Sequence, residues 1–154
     1  SFPTRRSSDL LTKGQVSPTS PMGMKSGTSP YGNIARPLNP TTLALAYGAT
    51  FVARTFSRER DMVSDLITRA IQHKGFSFIH DLSPCVVFNK DVTYGSVNSV
   101  TAQLPEEHDI LDRSNAMSLA ESTEPVYQGL FFQEKIPSFD DHVKQVKDGL
   151  NKSD

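Results

Sequence analysis

One cysteine, Cys85, and no tryptophan occur among the 154 residues. A single cysteine excludes an internal disulfide, and such sparing use fits a reducing compartment, so a cytoplasmic location is expected. Long apolar runs are missing as well. None approaches the roughly 18 residues that a membrane-spanning helix requires. Neither sign of charge dominates: 16 Lys and Arg stand against 17 Asp and Glu, a net charge of −1. That balance argues against a nucleic-acid footprint or a polybasic membrane patch. No internal repeat, GxSxG elbow, Walker loop or dinucleotide fingerprint is present. The chain is long enough for one modest domain with a real core.

The prolines and glycines that are present cluster early. Residues 16–39, VSPTSPMGMKSGTSPYGNIARPLN, read by composition as a flexible linker. A loop of that length inside a compact domain is usually a functional lid or a disordered segment. Order resumes at NPTTLALAYG. Asn39 is a good N-cap, Pro40 suits the first helical position and Gly48 the residue past the end. The helix between them is nearly all apolar and should be buried on most sides. ATFVAR, residues 49–54, reads as a buried strand.

Ser57 is the expected cap of the next helix, where Met62, Val63, Leu66, Ile67, Ala70 and Ile71 share one face. His73 and Lys74 fall in its last turn and Gly75 stops it. FSFIHDL, residues 76–82, is a second strand, which makes a βαβ unit with parallel strands and a right-handed crossover. CVVFN, which starts at Cys85, is a further short extended piece. Residues 112–120 form a helix and residues 126–134 a strand. A last helix opens with Ser138 and Asp141 as a capping box. The fold class is α/β, with the later part packed on the sheet as an appendage.

The first ten residues, SFPTRRSSDL, match none of this. They carry no apolar period and no signal-peptide core. The codons TCT TTC CCT ACA CGA CGC TCT TCC GAT CTN would encode them, and that string resembles a sequencing adapter. Ser1 to Leu10 are therefore expected to be non-native, the alternative being a native disordered tail.

Residues that could carry chemistry are few. His73, His80, His108 and His142 have no metal-ligand spacing and read as structural or surface residues, and Glu106 to Asp109 as a solvated turn. Cys85 is either a small buried hydrophobe or a ligating thiol. Lys13, beside Gly14 in a loop, is either solvated or placed to meet a carboxylate or phosphate.

LTKGQ, SPTS, SPYGNIARPLNP, ALAYGATFVAR, AIQHKGFSF and SPCVVFNK, in this order, resemble one family. It is the beta subunit of 2-oxoacid:ferredoxin oxidoreductases, of the 2-oxoglutarate-like or broad-substrate type. The likeness is specific over residues 11–90 and looser from residue 91, where LFFQE resembles the family's final strand. It implies that residues 11–90 are the C-terminal part of a doubly wound thiamine-diphosphate-binding domain and residues 91–154 the subunit's small C-terminal region. It implies an enzyme that oxidatively decarboxylates a 2-oxoacid, forms an acyl-CoA and passes electrons through a [4Fe-4S] cluster to ferredoxin. The cofactors implied are thiamine diphosphate, Mg2+ and that cluster. The partners implied are an alpha subunit, ferredoxin, the 2-oxoacid and CoA, with neither nucleic acid nor membrane.

Carried over residue by residue, Leu11 lies near the reactive thiazolium carbon and shapes substrate choice. Thr12 lies near the cofactor's diphosphate, and Lys13 faces the substrate's distal carboxylate. Relatives that prefer pyruvate often carry Asn and Gly in place of Leu11 and Lys13, which favours 2-oxoglutarate here. Cys85 matches the late cysteine ligand of the cluster. The family's GDG motif, its Asn-containing strand end and its CxxC lie upstream of LTKGQ and are not in this chain. The chain alone is therefore expected to be inactive and to hold neither cofactor well. Another thiamine-diphosphate enzyme, or a non-catalytic α/β interaction module, are the alternatives.

Overall fold

The computed structural model describes residues 15–84, 93–137 and 139–150. Helix α1, Pro40–Ala46, starts as the sequence predicts. Asn39 Oδ1 accepts from the amides of Thr41 at 3.1 Å and Thr42 at 3.3 Å, which satisfies two donors that the first turn leaves open. Its buried residues, Thr41, Ala44 and Leu45, form one i, i+3, i+4 stripe. Leu43 and Tyr47 face outward, Tyr47 at 86% exposure. The helix is thus buried along one stripe, rather than on most sides as its composition suggests.

Strand β1, Phe51–Phe56, is buried at every position. It begins two residues later than predicted because the Ala49 amide closes the end of α1, donating to Ala44 O. Helix α2, Arg60–Gln72, follows with Glu59 at its N-cap and no side-chain cap. Ser57, the predicted cap, instead continues the strand pairing: its amide donates to the carbonyl of Leu82. The line Met62, Leu66, Ala70 packs on Phe51, Ala53 and Leu130. Ile67 and Ile71, placed in the core by periodicity, are exposed at 44% and 79%. The apolar stripe is wider than the sheet surface it meets.

Strand β2, Ser77–Leu82, pairs in parallel with β1 from Phe51↔Ser77 to Phe56↔Leu82, as the βαβ reading requires. CVVFN lies outside the described residues. The short helix α3, Tyr94–Asn98, and strand β3, Thr101–Gln103, have no counterpart in the sequence reading. Helix α4, Arg113–Glu121, is capped by Asp112, whose side chain accepts from Asn115 N at 3.0 Å.

Strand β4, Val126–Gln133, does more than pack on the sheet. It lies between β1 and β3 in the order β2-β1-β4-β3, antiparallel to β1 and parallel to β3. Its register with β1 shifts between Val52 and Ala53, so that Leu130 and Phe132 oppose adjacent residues. Gly129 sits beside this bulge at φ 131°, where the side chain of Leu104 fills the space of a Cβ.

Helices cover both faces of this four-stranded mixed sheet. Ala44 and Leu45 of α1 and Ala116 and Ala120 of α4 join Val52, Phe131 and Phe132 on one face. Leu66 of α2 closes the other. Full burial of a side chain such as Phe51 or Phe131 contributes about 2–3 kcal/mol. The last helix, α5, Phe139–Leu150, is mostly exposed. Ser138 of its predicted capping box lies outside the described residues.

Candidate functional site

Residues 15–39 form a strap stapled by its own polar groups, where composition suggested a flexible linker. Ser17 and Ser20 are buried and exchange bonds: Ser20 N donates to Ser17 O at 2.9 Å, and Ser17 N to Ser20 Oγ at 2.8 Å. Asn33 Nδ2 reaches Ser20 O at 2.9 Å, and Gly23 N donates to Asn33 O at 2.7 Å. The two ends meet where Leu38 N donates to Pro18 O at 2.8 Å. Serines, glycines and prolines that look like a linker act here as turn formers, held by defined hydrogen bonds.

Under the strap lies a cleft of about 270 Å³, lined by Thr19, Pro37, Leu38, Arg54, His80 and Val126 among others. A second hollow of about 280 Å³ shares Thr19, Leu38 and His80 with it. Arg54 comes from the later half of β1 and His80 from the middle of β2. These residues approach the carboxyl end of the parallel pair, the side where open α/β sheets bind ligands.

Arg54 is the centre of the site. It is 3% exposed and has no carboxylate partner among the described residues. Its Nε donates to Thr41 Oγ1 at 3.2 Å and its NH1 to Tyr127 O at 3.1 Å. Its NH2 donates to Asn39 Oδ1 at 3.3 Å and to Ala120 O at 3.0 Å. The ring of Phe131 lies 5.1 Å from the guanidinium carbon. Burial lowers the Arg54 pKa to about 10, so the group still carries its charge at neutral pH. Thr41 Oγ1 also meets His80 Nδ1 at 3.2 Å, and Asn39 Nδ2 donates to Ala120 O at 2.7 Å. One cation thus joins the end of the strap, the start of α1, the end of α4 and strand β4. Beside it, Thr55 Oγ1 donates to Asp81 Oδ1 at 2.7 Å.

The other histidines are placed as structural or surface residues. His108 Nε2 lies 2.8 Å from Phe131 O, to which it donates, and Nδ1 lies 3.3 Å from Asn115 Nδ2. His142 lies on the mostly exposed α5. His73 meets Thr50 Oγ1 at 2.8 Å, and burial lowers its pKa.

Leu11, Thr12, Lys13 and Cys85, the residues singled out from the sequence, lie outside the described residues. Sequence reasoning passed over the Arg54, His80, Thr41 and Asn39 network. Its signal was an arginine and a histidine, each inside a run that otherwise reads as a buried strand.

The donors present do not complete either metal group of the resembled family. Among the described residues no three His, Cys, Asp or Glu converge on a point. Mg2+ asks for a near-octahedral set of oxygen ligands. A four-iron cluster takes four thiolates, and the chain has one cysteine.

A helix-covered sheet with a polar network toward the carboxyl side of a parallel pair is a ligand-binding form common to many α/β domains. The family described as "Thiamine pyrophosphate enzyme, C-terminal TPP binding domain" matches residues 9–80. The family of the C-terminal region of the pyruvate ferredoxin oxidoreductase beta subunit matches residues 85–148. A 2-oxoacid:ferredoxin oxidoreductase subunit beta from Sulfolobus sp is 34% identical over 148 residues, covering 87% of this chain and 48% of that protein. The 2-oxoglutarate synthase subunit KorB of Methanocaldococcus jannaschii is 32% identical over 146 residues, covering 91% and 52%. A solved 2-oxoglutarate:ferredoxin oxidoreductase from Magnetococcus marinus, with 2-oxoglutarate, coenzyme A and succinyl-CoA bound, superposes with a TM-score of 0.86 at 36% identity, over 92% of this chain and 49% of that one. Over most of its length the chain is similar to the beta subunits of 2-oxoacid:ferredoxin oxidoreductases. It spans about half the length of these relatives.

Proposed function

We propose that the chain serves as the C-terminal part of a beta subunit in a CoA-dependent 2-oxoacid:ferredoxin oxidoreductase, with 2-oxoglutarate preferred over pyruvate. The observation that carries this reading is the superposition over 92% of the chain on a 2-oxoglutarate:ferredoxin oxidoreductase. In this reading, Thr12 lies beside the diphosphate of thiamine diphosphate, Leu11 limits the substrate pocket and the Lys13 ammonium pairs with the distal carboxylate of 2-oxoglutarate. Cys85 supplies one thiolate to a [4Fe-4S] cluster. The remaining donors for the cluster and for Mg2+ come from outside this chain. The partners are an alpha subunit and a ferredoxin, and the place of work is the cytoplasm.

The residues in hand supply binding and orientation. The hydroxyl–imidazole pair at the cleft, Thr41 and His80, is tied into the Arg54 network, where Thr41 Oγ1 accepts from Arg54 Nε, which suits an enzyme whose bond-making chemistry belongs to its cofactor. The 154-residue chain alone is therefore inactive. The test is 2-oxoacid-dependent, CoA-dependent reduction of ferredoxin by the complete beta subunit assembled with its alpha subunit. The reading requires a higher kcat/KM for 2-oxoglutarate than for pyruvate, and a Lys13→Ala change that reduces this preference. Turnover with pyruvate that exceeds 2-oxoglutarate would overturn the preference.

A further inference from the structure

We propose that a basic hollow at the far end of the sheet binds a diphosphate-bearing ligand, apart from the Arg54 cleft. The hollow measures about 460 Å³, against about 270 Å³ for the cleft. Three stretches of chain supply its cations: Arg69 from the last turn of α2, Lys74 from the turn into β2 and Lys135 from the segment after β4. No aspartate or glutamate lines it, although the whole chain carries a net charge of −1. The hollow lies at the amino end of the parallel pair. Gln133, also in its lining, pairs with Phe51, the first residue of β1, and Lys74 precedes Ser77, the first of β2. The Arg54 cleft lies toward the other end, so a ligand here leaves that cleft free.

These cations are not spent on other partners. Among the described residues neither Lys74 nor Lys135 forms an ion pair. Arg69 has one, to Asp65 at 3.6 Å, with side chains 42% and 64% exposed, so the pair is weak and yields to a better anion. Arg69 NH2 also donates to Gln133 Oε1 at 3.4 Å, which leaves the nitrogen of that amide as a further donor. Nor do the cations merely offset the end of α2, where positive charge is favoured. The carbonyls of Arg69 and Ala70 already accept from His73 N and Ser77 Oγ, each at 3.0 Å. What remains is a donor-rich hollow with point charges from lysine and a planar fork from arginine, the set that recognises phosphoryl oxygens. Two adjacent phosphoryl groups match cations drawn from three stretches of chain better than a single carboxylate does.

The test uses the complete beta subunit assembled with its alpha subunit, loaded with thiamine diphosphate and Mg2+ and freed of the excess of both. Pyrophosphate and ADP are titrated by calorimetry, and the tighter of the two names the source of the diphosphate. Binding is read directly, so its outcome does not depend on which 2-oxoacid is turned over. Saturable binding is expected, weakening as ionic strength rises from about 0.01 to 0.1 M and the screening length falls from roughly 30 to 10 Å. Lys74→Gln with Lys135→Gln should weaken it about tenfold or more. Lys144→Gln with Lys147→Gln, which removes the same charge from the exposed α5, should change it about twofold or less. Ligand should also protect Lys74 and Lys135 from acetylation, read by mass spectrometry. No saturable binding, or equal affinity in the parent and the Lys74 and Lys135 double variant, overturns the proposal. So does equal weakening in the two double variants. Resistance of Lys74 and Lys135 to acetylation before any ligand is added shows that the assembly covers the hollow, and overturns it too. Binding of polyglutamate in place of both diphosphates overturns it in favour of an acidic protein partner.

Discussion

At the scale of single residues, Asn39 concentrates more function than its place in a polar loop suggests. Its oxygen caps α1 and receives Arg54, and its amide nitrogen holds Ala120 O. Asn39→Ala removes all of these. A lost cap alone costs about 1 kcal/mol, so the loss expected in chemical denaturation exceeds that figure. His73 gives a pH prediction. Burial lowers its folded pKa below the usual 6.5, so the unfolded chain binds the proton more readily. Stability is then fully present above pH 6.5 and is lost as pH falls through the lower, folded pKa. The thermal midpoint should fall between neutral and mildly acid pH, and His73→Gln should flatten that slope; an identical slope in the variant would show that the loss originates elsewhere. Asn39 was legible as a cap because capping is a local signal. Arg54 was not: its partners at Tyr127 and Ala120 are distant in sequence, so a lone arginine in ATFVAR reads as the polar end of a strand.

At the scale of elements, the turn from α2 into β2 depends on Gly75. Its φ of 140° is one that side chains rarely adopt, and a Cβ there would collide with Thr50 Oγ1 and press on His73 Nε2. Gly75→Ala should destabilise by about 1–3 kcal/mol in a denaturant titration. The outer face of α2 behaves in the opposite way. Ile71 is 79% exposed, so Ile71→Lys should leave stability within about 0.5 kcal/mol of the parent. The existence of α1, β1, α2 and β2, and the parallel pairing, were legible from period and turn residues. Which apolar residues of α2 reach the core was not, because periodicity gives the direction of a stripe and only the sheet's width decides how much of it is covered. Ser57 misled for a related reason. A serine before a helix reads as a cap, but its backbone is engaged by Leu82 O.

At the scale of the whole molecule, β4 decides the architecture. It joins the βαβ unit to the later region by pairing with both β1 and β3. Sequence reading found the strand but not its neighbours, since pairing between residues as far apart as Arg54 and Gly129 leaves no local trace. Its insertion makes residues 15–84 and the later region one sheet with a shared core of α1, α4, β1 and β4 residues. The candidate site inherits that unity, as Arg54 bonds to both parts. The family resemblance, by contrast, was legible in short strings such as LTKGQ and SPCVVFNK, ahead of any geometry. The most direct measurement is ferredoxin reduction, started by 2-oxoglutarate in the presence of CoA, by the complete beta subunit assembled with its alpha subunit, with this chain alone as the control. CoA-dependent turnover by the complex and none by the isolated chain is the expected result. A complex that stays silent with every 2-oxoacid, although its cofactors are loaded, would contradict the oxidoreductase reading.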